Sequence, residues 1–145
     1  MTVLDTNVVS ELLKVSPHPA VLAWFSPHRV DDLAITVTTV MEMRYGIERL
    51  PTGRRRRGLT ALFDDFLGNA VAEVVPFDLP STEAAAAYLA ERERSGRPLA
   101  DVRDAQIAGI VRRLASRDGK PALLATHNTG DFIGIPVVDP WIATP

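Results

Sequence analysis

The sequence predicts a single α/β domain, residues 1–145, on a mainly parallel central sheet of four or five strands. Three observations carry that expectation. Short apolar runs of strand length alternate along the chain with longer segments of helical periodicity. Turn chemistry, rich in Gly, Pro, Asn and Asp, punctuates nearly every change of period. The 145-residue length suits one domain, and no repeat, linker or low-complexity tract divides it.

Each element follows in order. Thr2 to Leu4 is an apolar run ending at Asp5 and reads as a buried first strand. Asp5-Thr6-Asn7 supplies N-cap chemistry for a helix from Val8 to Lys14, which Pro17 and Pro19 stop. A short helix follows from Ala20 to Phe25, ending near Pro27. Leu33-Ala34-Ile35 is a second strand, and Thr36 to Thr39 cap a helix running to about Leu50. Pro51-Thr52-Gly53 turns the chain into a helix from Arg54 to Leu67, with Leu59, Leu62, Phe63 and Phe66 on one face. Glu73 to Phe77 forms a third strand. Ser81 caps a helix over Thr82 to Ser95, whose Ala84–Ala87 run has high helix propensity, and Gly96-Arg97-Pro98 ends it. A further helix opens at Asp101 or Val102 and runs to Arg117, before the Asp118-Gly119-Lys120-Pro121 turn. Ala122 to Ala125 is the fourth strand and Val137-Val138 a short fifth.

Composition bounds the function. The chain is 46% hydrophobic and 23% charged, with 6% aromatic residues and a mean hydropathy of +0.06, values of an ordinary soluble globular domain. No apolar run approaches the roughly 18 to 20 residues of a membrane span. The start carries Asp5 in its first apolar stretch and no basic region, so no signal peptide is expected. Cysteine is absent, which removes disulfides, thiolate metal sites and cysteine nucleophiles and fits a cytoplasmic protein. Net charge is −2, so no global basic field recruits nucleic acid. Yet of 16 Lys and Arg residues all but Lys14 and Lys120 are Arg, the side chain that grips phosphates and carboxylates in bidentate fashion.

The acids carry the chemical signal. Ligands of parallel sheets bind beyond the carboxyl ends of the strands. Asp5 ends the first strand there, and Thr126-His127-Asn128 ends the fourth. Asp5 also suits a plain N-cap, a role compatible with metal binding. Asp104 says more: it lies within about 40° of the centre of the apolar stripe Ile107, Ala108, Ile110, Val111, Leu114 and Ala115. A carboxylate facing the interior needs an Arg or a cation. Glu42 flanks the Val40, Met43, Ile47, Leu50 stripe and, taken alone, reads as a solvated helix residue. The Thr126–Phe132 stretch is either a simple turn or a polar loop donating Thr126, Asn128 or Asp131 to a site. Carboxylates gathered at one edge repel each other, and a divalent cation removes the conflict. With no Cys and only His18, His28 and His127, the ligands are oxygen, which suits Mg²⁺ or Mn²⁺ and phosphoryl chemistry.

These residues also match a family pattern. VLDTNVVSEL (Val3 to Leu12), EMRYGI (Glu42 to Ile47), DAQIA (Asp104 to Ala108), LATHNTGDF (Leu124 to Phe132) and DPW (Asp139 to Trp141) occur in order across essentially the whole chain. In these blocks the chain resembles PIN-domain ribonucleases of the VapC toxin family, FitB-like members in particular. The resemblance implies a three-layer α/β/α sandwich and Mg²⁺- or Mn²⁺-dependent RNA cleavage. It implies a homodimer, possible higher assembly with an antitoxin, and neutralisation by a VapB-like antitoxin whose tail occupies the active-site groove. Asp5, Glu42 and Asp104 fall on the family's principal metal-binding acids. The fourth position is assigned to Asp131, with Asn128 the alternative and Thr6, Thr126 and Asn128 as supporting polar groups. His127 stands where Arg is frequent. Arg54 to Arg57, and Arg92, Arg94, Arg97 and Arg103, are candidate basic rims, with Arg54, Arg55, Arg97 and Arg103 the expected RNA contacts.

The resulting expectation is a metal-dependent endoribonuclease toxin in which activated water attacks phosphorus in line, leaving 5′-phosphate and 3′-hydroxyl ends. One rival is a PIN-like module that binds RNA or a partner without cutting. A receiver-type phosphoacceptor expects an acidic pair at the first strand and a Lys at the last; here Asp5 stands alone and neither Lys is suitably placed.

Overall fold

All five expected strands form, and every pairing is parallel. The computed structural model describes residues 1–143. Its elements run β1 (Thr2–Leu4), α1 (Thr6–Leu12), α2 (Pro19–Phe25), β2 (Leu33–Thr36), α3 (Val37–Glu48) and α4 (Arg54–Asn69). They continue with β3 (Glu73–Val75), α5 (Leu79–Arg94), α6 (Val102–Asp118), β4 (Leu123–Ala125) and β5 (Val137–Val138). Short 3-10 turns occupy Val30–Asp32 and Thr129–Phe132.

Strand order is β3-β2-β1-β4-β5, with Thr2 in register with both Leu33 and Leu123. Period-2 alternation splits the strand side chains between two cores. Val3, Ala34 and Leu124 pack with Tyr88, Ile107, Ile110, Val111, Leu114 and Phe132 under α5 and α6. Leu4, Leu33, Ile35 and Ala125 pack with Val8, Val9, Trp24, Ile47, Phe63 and Phe66 from α1 to α4. Helices therefore cover both faces, which is why these strands read as continuous apolar runs rather than as an alternation.

Several boundaries move from their expected positions, each for a local reason. α1 begins at Thr6 rather than Val8, because Asp5 alone is the cap and accepts the Thr6 N–H at 2.7 Å. α5 begins at Leu79 rather than Thr82: Asp78 is its cap, accepting the Ser81 N–H at 2.9 Å and the Ser81 hydroxyl at 2.6 Å. The third strand stops at Val75, since its partner Thr36 is the last residue of β2 before the chain turns into α3. β4 starts at Leu123, opposite the first residue of β1. On α4, Phe63 and Phe66 are buried as the pattern requires, but Leu62 is 43% exposed.

The α5–α6 layer is held close by one missing side chain. A Cβ at Gly109 of α6 would lie 2.4 Å from the Ser81 carbonyl oxygen and 2.8 Å from Ala85 Cβ, both on α5. That proximity fixes the axial position of α6 and so of Asp104 at its first turn. Gly109→Ala is expected to lower unfolding free energy by ~1–3 kcal/mol in urea denaturation despite the better helix propensity of Ala. Unchanged stability would mean the two helices separate freely.

Candidate active site

The chain leaves β1, builds β2 and β3 on one side, then crosses to β4 on the other side of β1. The carboxyl ends of β1 and β4 thus flank a topological switch point, where a crevice opens in sheets of this kind. Asp5 follows β1 there and Thr126 follows β4. The Thr126 hydroxyl donates to Asp5 Oδ2 at 2.6 Å, and Asn7 Nδ2 donates to the same oxygen at 2.8 Å. Thr126 Oγ1 in turn accepts from Asn7 Nδ2 at 3.2 Å and from the Asn128 N–H at 3.0 Å. Asn7 Oδ1 closes the network by accepting the His127 N–H at 3.1 Å. Asp5 is only 6% exposed, and burial pushes its carboxyl pKa up against the lowering effect of these hydrogen bonds, with Glu42's charge adding to the rise.

Asp104 projects from the first turn of α6, which Asp101 caps. Its carboxyl pKa is pushed up to about 6, first by burial and then by the charges of Asp131, Asp101, Asp5 and Glu42. The four predicted acids therefore share one electrostatic neighbourhood. Asp131 is the strongest charged neighbour of Asp104, whereas Asn128 meets the network through its backbone N–H. Glu42 comes from α3 and is far from a free surface acid: one carboxylate oxygen accepts the Thr6 hydroxyl, and the other lies 3.0 Å from Arg103 Nη1. Arg103 also grips Asp101 through its Nε and Nη2, so its guanidinium touches two carboxylates. Arg54, Arg55 and Arg97 are exposed.

Behind Asp131 stands a pair that the motifs of the site do not single out. Tyr88 and Arg92 are buried on α5, 1% and 7% exposed. The single Tyr88 O–H is shared between the carbonyls of Asp131 and Ile133, at 3.2 and 3.0 Å, and Arg92 Nη1 donates to the Asp131 carbonyl at 3.2 Å. Arg92 Nε adds a bond to the Arg97 carbonyl at 2.7 Å. Arg92 thus anchors the loop from within and is no part of a basic rim. The sequence does carry a signal for it: Ser81, Ala85, Tyr88 and Arg92 share one helical face at spacings that bury it.

The donor chemistry suits a hard divalent cation, being all oxygen and mutually repulsive. Among the described residues, however, no three acidic or histidine side chains already stand in an arrangement that encloses an ion.

The PIN-domain family matches residues 2–129 of the chain. The VapC ribonuclease Y4jK of Sinorhizobium fredii is 34% identical over 97% of this chain and 98% of its own length. The chain belongs to the PIN-domain family of VapC-type toxins. The toxin FitB of Neisseria gonorrhoeae is 29% identical over 97% of this chain and 99% of its own. Among solved structures, FitAB bound to the IR36 DNA fragment superposes with a TM-score of 0.86 at 28% identity, covering 100% of this chain and 99% of that one. The PIN-like α/β fold expected of the chain is therefore the fold it has. Among the described residues no helix is long and apolar enough to cross a membrane.

The acid cluster sets a stability signature. In the native state Asp104 titrates near 6, above its ordinary value of 3.8. Between these pH values the native state holds a proton that the unfolded chain has released, so stability falls as pH rises through the window. In chelator-treated buffer, Asp104→Asn is expected to be more stable than wild type at pH 7 and to converge with it near about pH 4. Urea denaturation across that range checks the expectation; parallel curves at both ends would contradict it.

Proposed function

We propose that this chain is the toxin of a type II toxin–antitoxin pair and acts as a metal-dependent endoribonuclease within the cell. The observation that carries the reading is that Asp5, Asp104, Asp131 and Glu42 share the switch point, where burial first and then the charges of the neighbouring acids push Asp104 up to about 6. Mg²⁺ or Mn²⁺ is the ion these carboxylates would hold, and when bound it supplies phosphate polarisation and a more acidic water.

The chain's own residues do the rest. Asp5 is oriented by Thr6, Asn7 and Thr126, so its carboxylate is placed before substrate arrives. Tyr88 and Arg92 hold the Asp131 backbone, and Gly109 sets the height of Asp104. Exposed Arg54, Arg55 and Arg97 are the proposed phosphate contacts, which would make RNA binding salt-dependent. With only 6% aromatic residues, backbone contact rather than base stacking would dominate.

The partner reading rests on a groove of about 660 Å³ that starts at Thr6 and Glu42 and runs between α1, α3 and α4. Leu13, Met43, Ile47, Leu50, Leu59 and Leu62 line it, and Lys14 and Arg55 also border it. An amphipathic antitoxin tail with acidic groups toward those cations fits this chemistry. A homodimer belongs to the same reading. Val37, Met41 and Tyr45, 37%, 51% and 61% exposed, form an apolar row along α3 that suits a second copy.

Cleavage of defined single-stranded RNAs by the purified protein tests the activity. Asp5→Asn and Asp104→Asn are each expected to reduce cleavage by about 10²-fold or more. Chelation is expected to abolish cleavage, Mn²⁺ to restore it, and the products to carry 5′-phosphate ends. RNA that is bound but left intact at every metal concentration would favour a non-cleaving binding module, and cyclic-phosphate products without metal dependence would remove the hydrolytic reading.

The groove gives a separable outcome. Leu62→Asp, at an exposed position of the groove, is expected to leave cleavage near wild type while weakening neutralisation by a co-expressed VapB-like antitoxin at least ~10-fold. Growth rescue on co-expression reads this out, and full rescue would place the antitoxin elsewhere.

A further inference from the structure

We infer that Arg103 is a built-in counter-ion that keeps Glu42 in an ion pair until a divalent cation displaces it, so that Arg103 sets the metal affinity of the site. The inference deepens the metal-dependent reading above and rests on it.

The geometry is asymmetric in an informative way. Toward Asp101, Arg103 makes contacts from Nε at 3.0 and 2.8 Å and a further one from Nη2, and its backbone N–H donates to Asp101 Oδ1 at 2.9 Å. Toward Glu42 it makes one, Nη1 to Oε1 at 3.0 Å. Asp101 is the cap of α6, so this end of the guanidinium is anchored to a rigid helix start. The Glu42 arm is the one that yields. Its side chain is 19% exposed and that of Arg103 42%, so water can take over the released Nη1 without the guanidinium leaving Asp101.

The charge pattern gives the arm a purpose. Among the described residues none of Asp5, Asp104 and Asp131 is in an ion pair, whereas Glu42 and Asp101 are both paired with Arg103. Arg103 therefore stands as the resident cation at the edge of an acid cluster, adjacent in sequence to Asp104. A divalent ion entering the cluster competes with it for Glu42 and is repelled by its charge. Both effects weaken metal binding, and both vanish when the guanidinium is removed. The opposing possibility is physical too: if Arg103 instead pre-positions Glu42 for the ion, its removal loosens Glu42 and weakens binding. The sign of the effect separates the two.

Calorimetric titration of the purified full-length protein with MnCl₂ alone, without RNA, reads this directly. Arg103→Ala is expected to bind Mn²⁺ about 10-fold tighter than wild type. The gain is expected to shrink at high salt and to disappear in the Glu42→Gln background. Arg103→Lys keeps the charge but not the fork and is expected to fall between wild type and Ala. If the Ala variant does not fold, the Lys variant decides, with tighter binding than wild type supporting the inference. Affinity equal to or weaker than wild type in the variant tested overturns it, while wild-type Mn²⁺ binding leaves the metal reading standing. Absence of Mn²⁺ binding in wild type and variants alike overturns both.

Discussion

The buried carboxylate of Asp5 is the constraint around which the rest of the site is organised. At 6% exposure it has lost most of its water, and a charge in that position must be solvated by the protein. The structure meets the requirement with groups from two ends of the chain: the Thr6 N–H and Asn7 amide beside it, and the Thr126 hydroxyl 121 residues later. Thr126 uses its whole capacity, donating to Asp5 and accepting from Asn7 and from the Asn128 N–H. Satisfying one carboxylate therefore ties α1, β1 and β4 together at the switch point. The polar network that solvates Asp5 is the same network that orients it.

Around that centre the arginines are distributed by structural need. The Arg-rich composition invites a picture of basic rims, yet many of the guanidiniums have local partners. Arg112 pairs with Glu91, Arg117 with Glu73, Arg56 with Glu48 and Arg44 with Asp64. Arg112 also lies over the Tyr88 ring, 4.8 Å from its centroid, on the outer side of the buried Tyr88–Arg92 pair. Arg92 faces backbone carbonyls and the Tyr88 phenol, and among the described residues it has no acid partner, which places a cation behind the loop of Asp131. The acid cluster is thus held between two cations of different character, Arg92 behind it and Arg103 beside it. Such an arrangement tolerates carboxylates that would otherwise destabilise the fold.

The groove beside the site follows from the same architecture. α4 buries Phe63 and Phe66, while Leu59 packs at the edge of the same core and Leu62 is exposed, both lining the groove. Apolar side chains are left in a groove whose lining includes Thr6 and Glu42, the latter one of the four acids. A segment bound there would lie beside Glu42.

Much of this is legible in one dimension. Apolar runs of strand length between helical periods give the parallel α/β class, because strands covered on both faces leave no polar register. Asp5 and Asp104 stand out because a carboxylate at a buried strand end, or on the apolar stripe of a helix, is too costly to bury without a bonding partner. Boundaries drift where two nearby polar residues compete for the cap, as with Asp78 and Ser81, since either side chain has the chemistry and only the observed hydrogen bonds choose. Glu42 is chemically ordinary in its own helix, and its role depends on Thr6 and Arg103, which lie 36 residues before it and 61 after it. Residue identity and periodicity thus determine the layers, the strands and the inward placement of Asp5 and Asp104. Which acids are paired, which arginine is buried and where the groove opens are decided by the tertiary structure, because charge pairing and desolvation depend on distances through space that local sequence does not encode.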